Sequence, residues 1–171
     1  MVGCKLEAFI LNHQAAEMLP HNLRHLHRCR LSDRLTLVPV TGQLCKEVVA
    51  TFGKYEAKDD PYEDSLFMRL HPALTQMAIK ISFVAPVLYL ERDVWSGIGD
   101  SSAVVRHKGE AVFGLEWGGS YTTKAFILFK QLEGLPPDQE LDIYRHRFTE
   151  DWVQDIESEA MPINIQRLIR G

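Results

Sequence analysis

Hydrophobic and polar positions alternate most regularly between Pro86 and Gly114, PVLYLERDVWSGIGDSSAVVRHKGEAVFG. From Val87, the side chains of Val87, Tyr89 and Glu91 point one way and those of Leu88, Leu90 and Arg92 the other, which is the period of a strand. Gly97 and Gly99 flank Ile98 and predict a bend or bulge. Ser102–Arg106 is a second strand, His107–Glu110 a hairpin turn with Gly109 at its left-handed position, and Ala111–Leu115 the returning strand. Connections this short force antiparallel neighbours, so the stretch is a meander.

The flanking patterns add to it. Lys5–Leu11 alternates as a strand, and Asn12 caps a short helix from His13 to Met18 that ends before Pro20. His21–Arg34 is basic and histidine-rich without a period, and Leu35–Val40 is a strand whose Pro39 marks an edge or an end. Thr41 caps a helix over Gln43–Phe52, with Leu44, Val48 and Val49 on one face. A charged loop, Gly53–Asp64, precedes a helix opened by Pro72, whose buried stripe is Leu74, Met77, Ala78 and Ile81. After Leu115, Thr122 or Thr123 caps a helix running to Gln131 and closed by Gly134 and Pro136-Pro137, although the short run Ala125–Phe129 fits a strand equally well. Leu141–Ala160 reads as a helix with Phe148, Trp152 and Ile156 spaced four apart, and Pro162 starts a last one. These elements predict a single α+β domain over 1–171: an antiparallel sheet built on the meander at about 87–115, helices packed on one face, and an inserted acidic helical segment at about 116–160.

Charge and cysteine usage narrow the classes. The net charge of −4 argues against a protein that coats nucleic acid. No run approaches the roughly 20 apolar residues of a membrane span, and MVGCKLEAFILN is too short in apolar residues for a signal peptide. Cys4, Cys29 and Cys45 are odd in number and lack CxxC spacing, which points to reduced thiols and a cytoplasmic location. The charge is uneven: Gln131–Ala160 holds nine acids against Arg145 and Arg147, a net of −7, and the remainder sums to +3.

Candidate chemistry is sparse. His21, His25, His27 and Cys29 are of ligand type, but their spacing matches no zinc motif, so a solvated basic loop is the reading and no metal is assigned. Gly97-Ile98-Gly99-Asp100 lacks both the strand-to-helix context and the Gly-Lys-Ser/Thr of a phosphate loop. There is no Gly-x-Ser-x-Gly elbow, and no catalytic residue or cofactor is assigned. A candidate ligand site combines Glu91, Asp93, Trp95 and Asp100 at the bend with His107, as a small enzyme or small-ligand sensor would need. A candidate partner surface lies on the acidic helix: Glu150, Asp151, Asp155 and Glu157 beside Tyr144, Phe148 and Trp152. Aromatic anchors there supply contact energy and the charge a fast encounter with a basic partner; a homodimer burying the same aromatics is another arrangement.

Tyr89-x-Glu91, Gly97-x-Gly99, Ala103-Val104-Val105, Lys108-Gly109 and Pro162-Ile163-Asn164 with Arg167-Leu168, together with the Phe9 and Leu35–Val40 strands, resemble a loosely defined family of small soluble bacterial proteins. Its members are mostly uncharacterised, and some look like immunity proteins encoded beside toxins. Trp95-Ser96 stands where the family pattern has an aromatic-glycine pair, no Gln follows Gly99, and both the histidine-rich loop and 116–160 look inserted. The resemblance implies a non-enzymatic protein-binding module that occludes a partner toxin. Nuclease toxins are basic because they bind phosphates, so an acidic segment suits such a partner.

Overall fold

The computed structural model describes residues 4–52, 72–95, 98–113 and 119–139; for residues 4–6, 52, 92–95, 98–101 and 119–123 it describes the backbone. Six strands form one antiparallel sheet: β1 (Cys4–Asn12), β2 (Cys29–Arg30), β3 (Leu35–Pro39), β4 (Val87–Trp95), β5 (Ile98–His107) and β6 (Glu110–Phe113). Their order is β2-β3-β1-β4-β5-β6. Four helices accompany it: α1 (His13–Glu17), α2 (Gly42–Phe52), α3 (Pro72–Ser82) and α4 (Gly119–Glu133). This is the α+β class with an antiparallel meander that the alternation predicts.

The helix starts follow from local chemistry. Asn12 Oδ1 accepts from the Ala15 amide at 2.8 Å, and Thr41 Oγ1 accepts from the Leu44 amide at 3.1 Å. Each satisfies an amide that has no partner inside its helix. The last helix resolves the Ala125–Phe129 ambiguity in favour of α. Its end is closed by Gly134 at φ 68°, with Gly134 N–H donating to Gln131 O at 3.1 Å and Leu135 N–H to Lys130 O at 2.9 Å. That pair of bonds is a Schellman closure, and its usual hydrophobic partner is present as buried Leu135.

Strand alternation divides the core into two. On one face Phe9, Leu11, Val38, Val40, Val87, Tyr89 and Val104 pack with residues of α1, α2 and α3 and with Leu19, Leu23 and Leu26. On the other, Ala8, Ile10, Leu35, Leu37, Leu88, Leu90, Ala103 and Val105 pack with Ala125 and Phe129 of α4. Helices therefore cover both faces rather than one. The physical reason is visible in β4 and β1, where both alternate rows are apolar and each needs a cover. The first part of the stretch expected as an insertion, α4, belongs to the second core.

Two further differences concern strand limits. Trp95 pairs with Ile98, Val94 with Gly99 and Asp93 with Asp100, so the expected bend is a hairpin and Gly99 lies within the ladder. Pairing also gathers Cys29 and Arg30 into a two-residue strand against Leu37 and Thr36, too short to show a period in sequence. At the other rim β6 is bulged, with Arg106 opposite Ala111 and Val105 opposite Phe113. The expected helices over 141–160 and from Pro162, and the loop 53–64, lie outside the described residues.

Candidate functional site

The chemistry with most company lies at one end of the first face. There the register places Val38, Phe9, Tyr89 and Val104 in one row and Glu7, Glu91 and Ser102 in the next. Directly opposed residues in an antiparallel pair have Cβ atoms about 4.5–5.5 Å apart, so Glu7 and Glu91 are immediate neighbours. Both are buried, as is Ser102. The Tyr89 hydroxyl donates to Glu91 Oε1 at 2.8 Å, and the Tyr89 ring meets that of Phe9 at 4.8 Å between centroids, tilted by 49°. Burial, then the charges of Glu91, Glu7 and Cys45, hold the Tyr89 phenol well above its ordinary range. The phenol thus stays protonated and works as a hydrogen-bond donor to a carboxylate. Glu91 was singled out from sequence; Glu7 and Ser102 were not, because their company depends on strand order. The Tyr89-x-Glu91 spacing was the available signal, since residues two apart share a strand face.

Within the candidate ligand set the register sets His107 apart, while Glu91, Asp93, Trp95 and Asp100 occupy same-face positions of the β4–β5 ladder. Glu91 pairs with Ser102 in the β4–β5 ladder, whereas His107 pairs with Glu110 beyond its far end. Five positions at about 3.3 Å each separate Ser102 from His107, and an odd separation puts them on opposite faces. Asp93 and Asp100 are cross-strand neighbours in the backbone, and Trp95 closes the same ladder. The partner candidates Tyr144, Phe148, Glu150, Asp151, Trp152, Asp155 and Glu157 lie outside the described residues.

Above the Phe9 row sits an apolar cavity of about 10 Å³, bounded by Leu11, Val38, Leu44, Leu74 and Ile81 among others. That is near the lower limit for a single water, and an apolar lining offers a water no bond. It is a packing defect between sheet and helices, far below the hundreds of Å³ that enclose a metabolite.

At the opposite end of the sheet a second polar group ties α4 to β1. Asn12 Nδ2 donates to Glu133 Oε1 at 3.3 Å and lies 3.5 Å from Oε2, while Arg34 Nη2 donates to Glu133 O at 3.1 Å. Burial raises the Glu133 carboxyl above its ordinary pKa, against the opposing pull of the Asn12 bond and of Arg34 and His107. His107 Nδ1 is buried nearby without a hydrogen-bond partner.

The histidine-rich loop is held by its backbone. The Glu47 carboxylate of α2 accepts from the amides of Arg24 at 2.6 Å and His25 at 2.7 Å. Burial pushes the Glu47 pKa up, but those two bonds and the nearby charges of His25 and Arg24 bring it below its ordinary value. Arg28 donates to the carbonyls of Ala16 at 2.9 Å and Leu19 at 2.8 Å, and His21 Nε2 lies 2.7 Å from Glu17 O. Cys29 turns into the second core, where burial pushes its thiol up to about 12 and leaves it unreactive. Among the described residues, no three of the histidine, cysteine, aspartate and glutamate side chains converge as a metal site, and no helix is long and apolar enough to cross a membrane.

No protein-family model, curated protein or solved structure matches this chain.

Proposed function

We propose that this chain is a non-enzymatic protein-binding module, with an immunity-like inhibitor of a basic toxin as the sharpest form of that reading. The observation that carries it is an aromatic side chain left largely in solvent against a tight turn. Phe83 is 68% exposed, and its ring lies against Gly109 of the β5–β6 hairpin. A solvent-facing aromatic beside exposed Val84 offers a partner apolar surface to bury. Tyr89, Glu91, Glu47 and Cys29 support the same reading, because each is committed to internal bonds or burial. The net charge of −7 over 131–160 adds the electrostatic attraction that a phosphate-binding toxin would answer.

The test is affinity for the product of the adjacent gene, measured by surface plasmon resonance before and after charge reversal at Glu150, Asp151, Asp155 and Glu157. The expected result is a loss of at least about tenfold, or about 1.4 kcal/mol, concentrated in the association rate and diminished by added salt. Binding that is indifferent to the reversal rejects the acidic surface, and absence of any binding rejects the toxin partner.

A further inference from the structure

The surroundings of Phe83 are built rather than incidental. Ser82, the last residue of α3, is 1% exposed and bonds the hairpin twice. Its carbonyl accepts from Lys108 N at 2.8 Å and its Oγ from Gly109 N at 2.9 Å. Lys108 and Gly109 have φ of 53° and 83°, as a two-residue hairpin turn between His107 and Glu110 requires. A Cβ placed on Gly109 would stand 2.4 Å from Phe83 Cζ, so ring and turn touch as closely as glycine alone permits. Val84, beside it, is 49% exposed. The helix end and the hairpin are thus tied to one another, and the Phe83 ring lies against the turn while most of its surface stays in water.

The charges beside this patch are mostly of one sign. Lys80 is exposed in the last turn of α3, and Lys108 is exposed in the hairpin turn itself. Among the described residues of α3 and the hairpin, Glu110 is the exposed acid that accompanies them, which leaves these three positions with one positive charge in excess.

We propose that Phe83 and Val84, rimmed by Lys80 and Lys108, form a docking point for a protein segment that presents an apolar side chain among acidic residues. This rests on the binding-module reading and names a second surface, distinct from the acidic segment, with its partner's chemistry. The apolar insertion supplies the contact energy, and the two ammonium groups speed encounter with acidic segments and disfavour basic ones.

The experiment is selection of phage-displayed random linear peptides on the immobilised full-length chain, followed by fluorescence titration of the synthesised winners. The titrations compare wild type with Phe83→Ser and with the pair Lys80→Glu and Lys108→Glu. All three positions are exposed, and a thermal melt by circular dichroism checks each fold. The expected winners are rich in Asp and Glu around a large apolar residue, lose at least about tenfold in affinity with Phe83→Ser, and lose severalfold with the lysine pair. Winners that bind Phe83→Ser as well as wild type overturn this surface and leave the binding-module reading standing. A selection that yields no binder overturns this docking point and leaves the binding-module reading to the toxin titration. Concentration-dependent dimerisation abolished by Phe83→Ser overturns the proposal in favour of a second copy of the chain. Adsorption to phosphatidylserine vesicles abolished by the same change overturns it in favour of a lipid surface.

Discussion

The two faces of this sheet solve the same problem by different means. The first is roofed by three helices and the segment through Leu19, Leu23 and Leu26, contributed from separate parts of the chain. The second, among the described residues, is roofed by one helix, α4, with Leu135 and the β2 residue Cys29 at its margins. The many-piece roof leaves a small apolar gap and an internal polar row at Glu7, Glu91 and Ser102. The one-piece roof packs fully buried Ala125 and Phe129 on the strands and is fastened at its end by Asn12 and Arg34. A layer assembled from several elements spreads its energy over many contacts, whereas a layer made by one helix concentrates it.

That contrast can be broken most sharply at Phe129. Phe129→Ala is expected to cost about 3–5 kcal/mol in urea unfolding, because it empties the centre of the second core. Hydrogen exchange should show α4 amides losing protection before those of α2 and α3. Equal loss across all three helices would show that the faces do not separate energetically.

A smaller effect is expected from Tyr89→Phe, which deletes the hydroxyl bonded to Glu91 but keeps the ring against Phe9. The expected cost is about 1–2 kcal/mol, as for a buried bond to a charged group, with the unfolding cooperativity unchanged. A neutral result would mean that Glu91 replaces the bond without cost.

The smallest effect sharpens the comparison at the fastening of α4. Because the folded Glu133 carboxyl has a raised pKa, the folded state holds that proton more tightly than the unfolded chain. Its contribution is therefore most favourable below the ordinary carboxyl pKa and is lost as pH rises through the raised value. A negative charge on the last residue of a helix also opposes the helix dipole. Glu133→Gln should raise stability slightly above the ordinary carboxyl range, by about a few tenths of a kcal/mol after allowance for its partial exposure, and flatten the fall in stability as pH rises through the raised value. An unchanged profile would remove Glu133 from the account.

Most of the fold was legible because it is written locally. Asn12 and Thr41 announce their helices, Pro72 opens another, and Lys108-Gly109 marks its hairpin. The type of α4 was ambiguous because Ala125–Phe129 is too short to fix a period, and its burial became clear only with a second apolar sheet face to meet. The polar row was half legible: Tyr89 and Glu91 share a strand, but Glu7 joins them only through the pairing of β1 with β4. Glu47 escaped notice for the same reason, since its amide partners are more than twenty residues away. His107 looked close to Glu91 in sequence terms and is not, because a strand carries its ends apart.

Asn12 reaches in two directions at once. Its carbonyl oxygen receives the Ala15 amide on the side roofed by α1, while its amino group serves the Glu133 carboxylate on the side roofed by α4. Aspartate, ordinarily an acceptable substitute at the start of a helix, would here set one carboxylate against another. Serine and threonine keep an oxygen for the helix but lack the reach of an amide. The position therefore admits asparagine and little else, and a drift tolerated at most caps would here loosen both layers together.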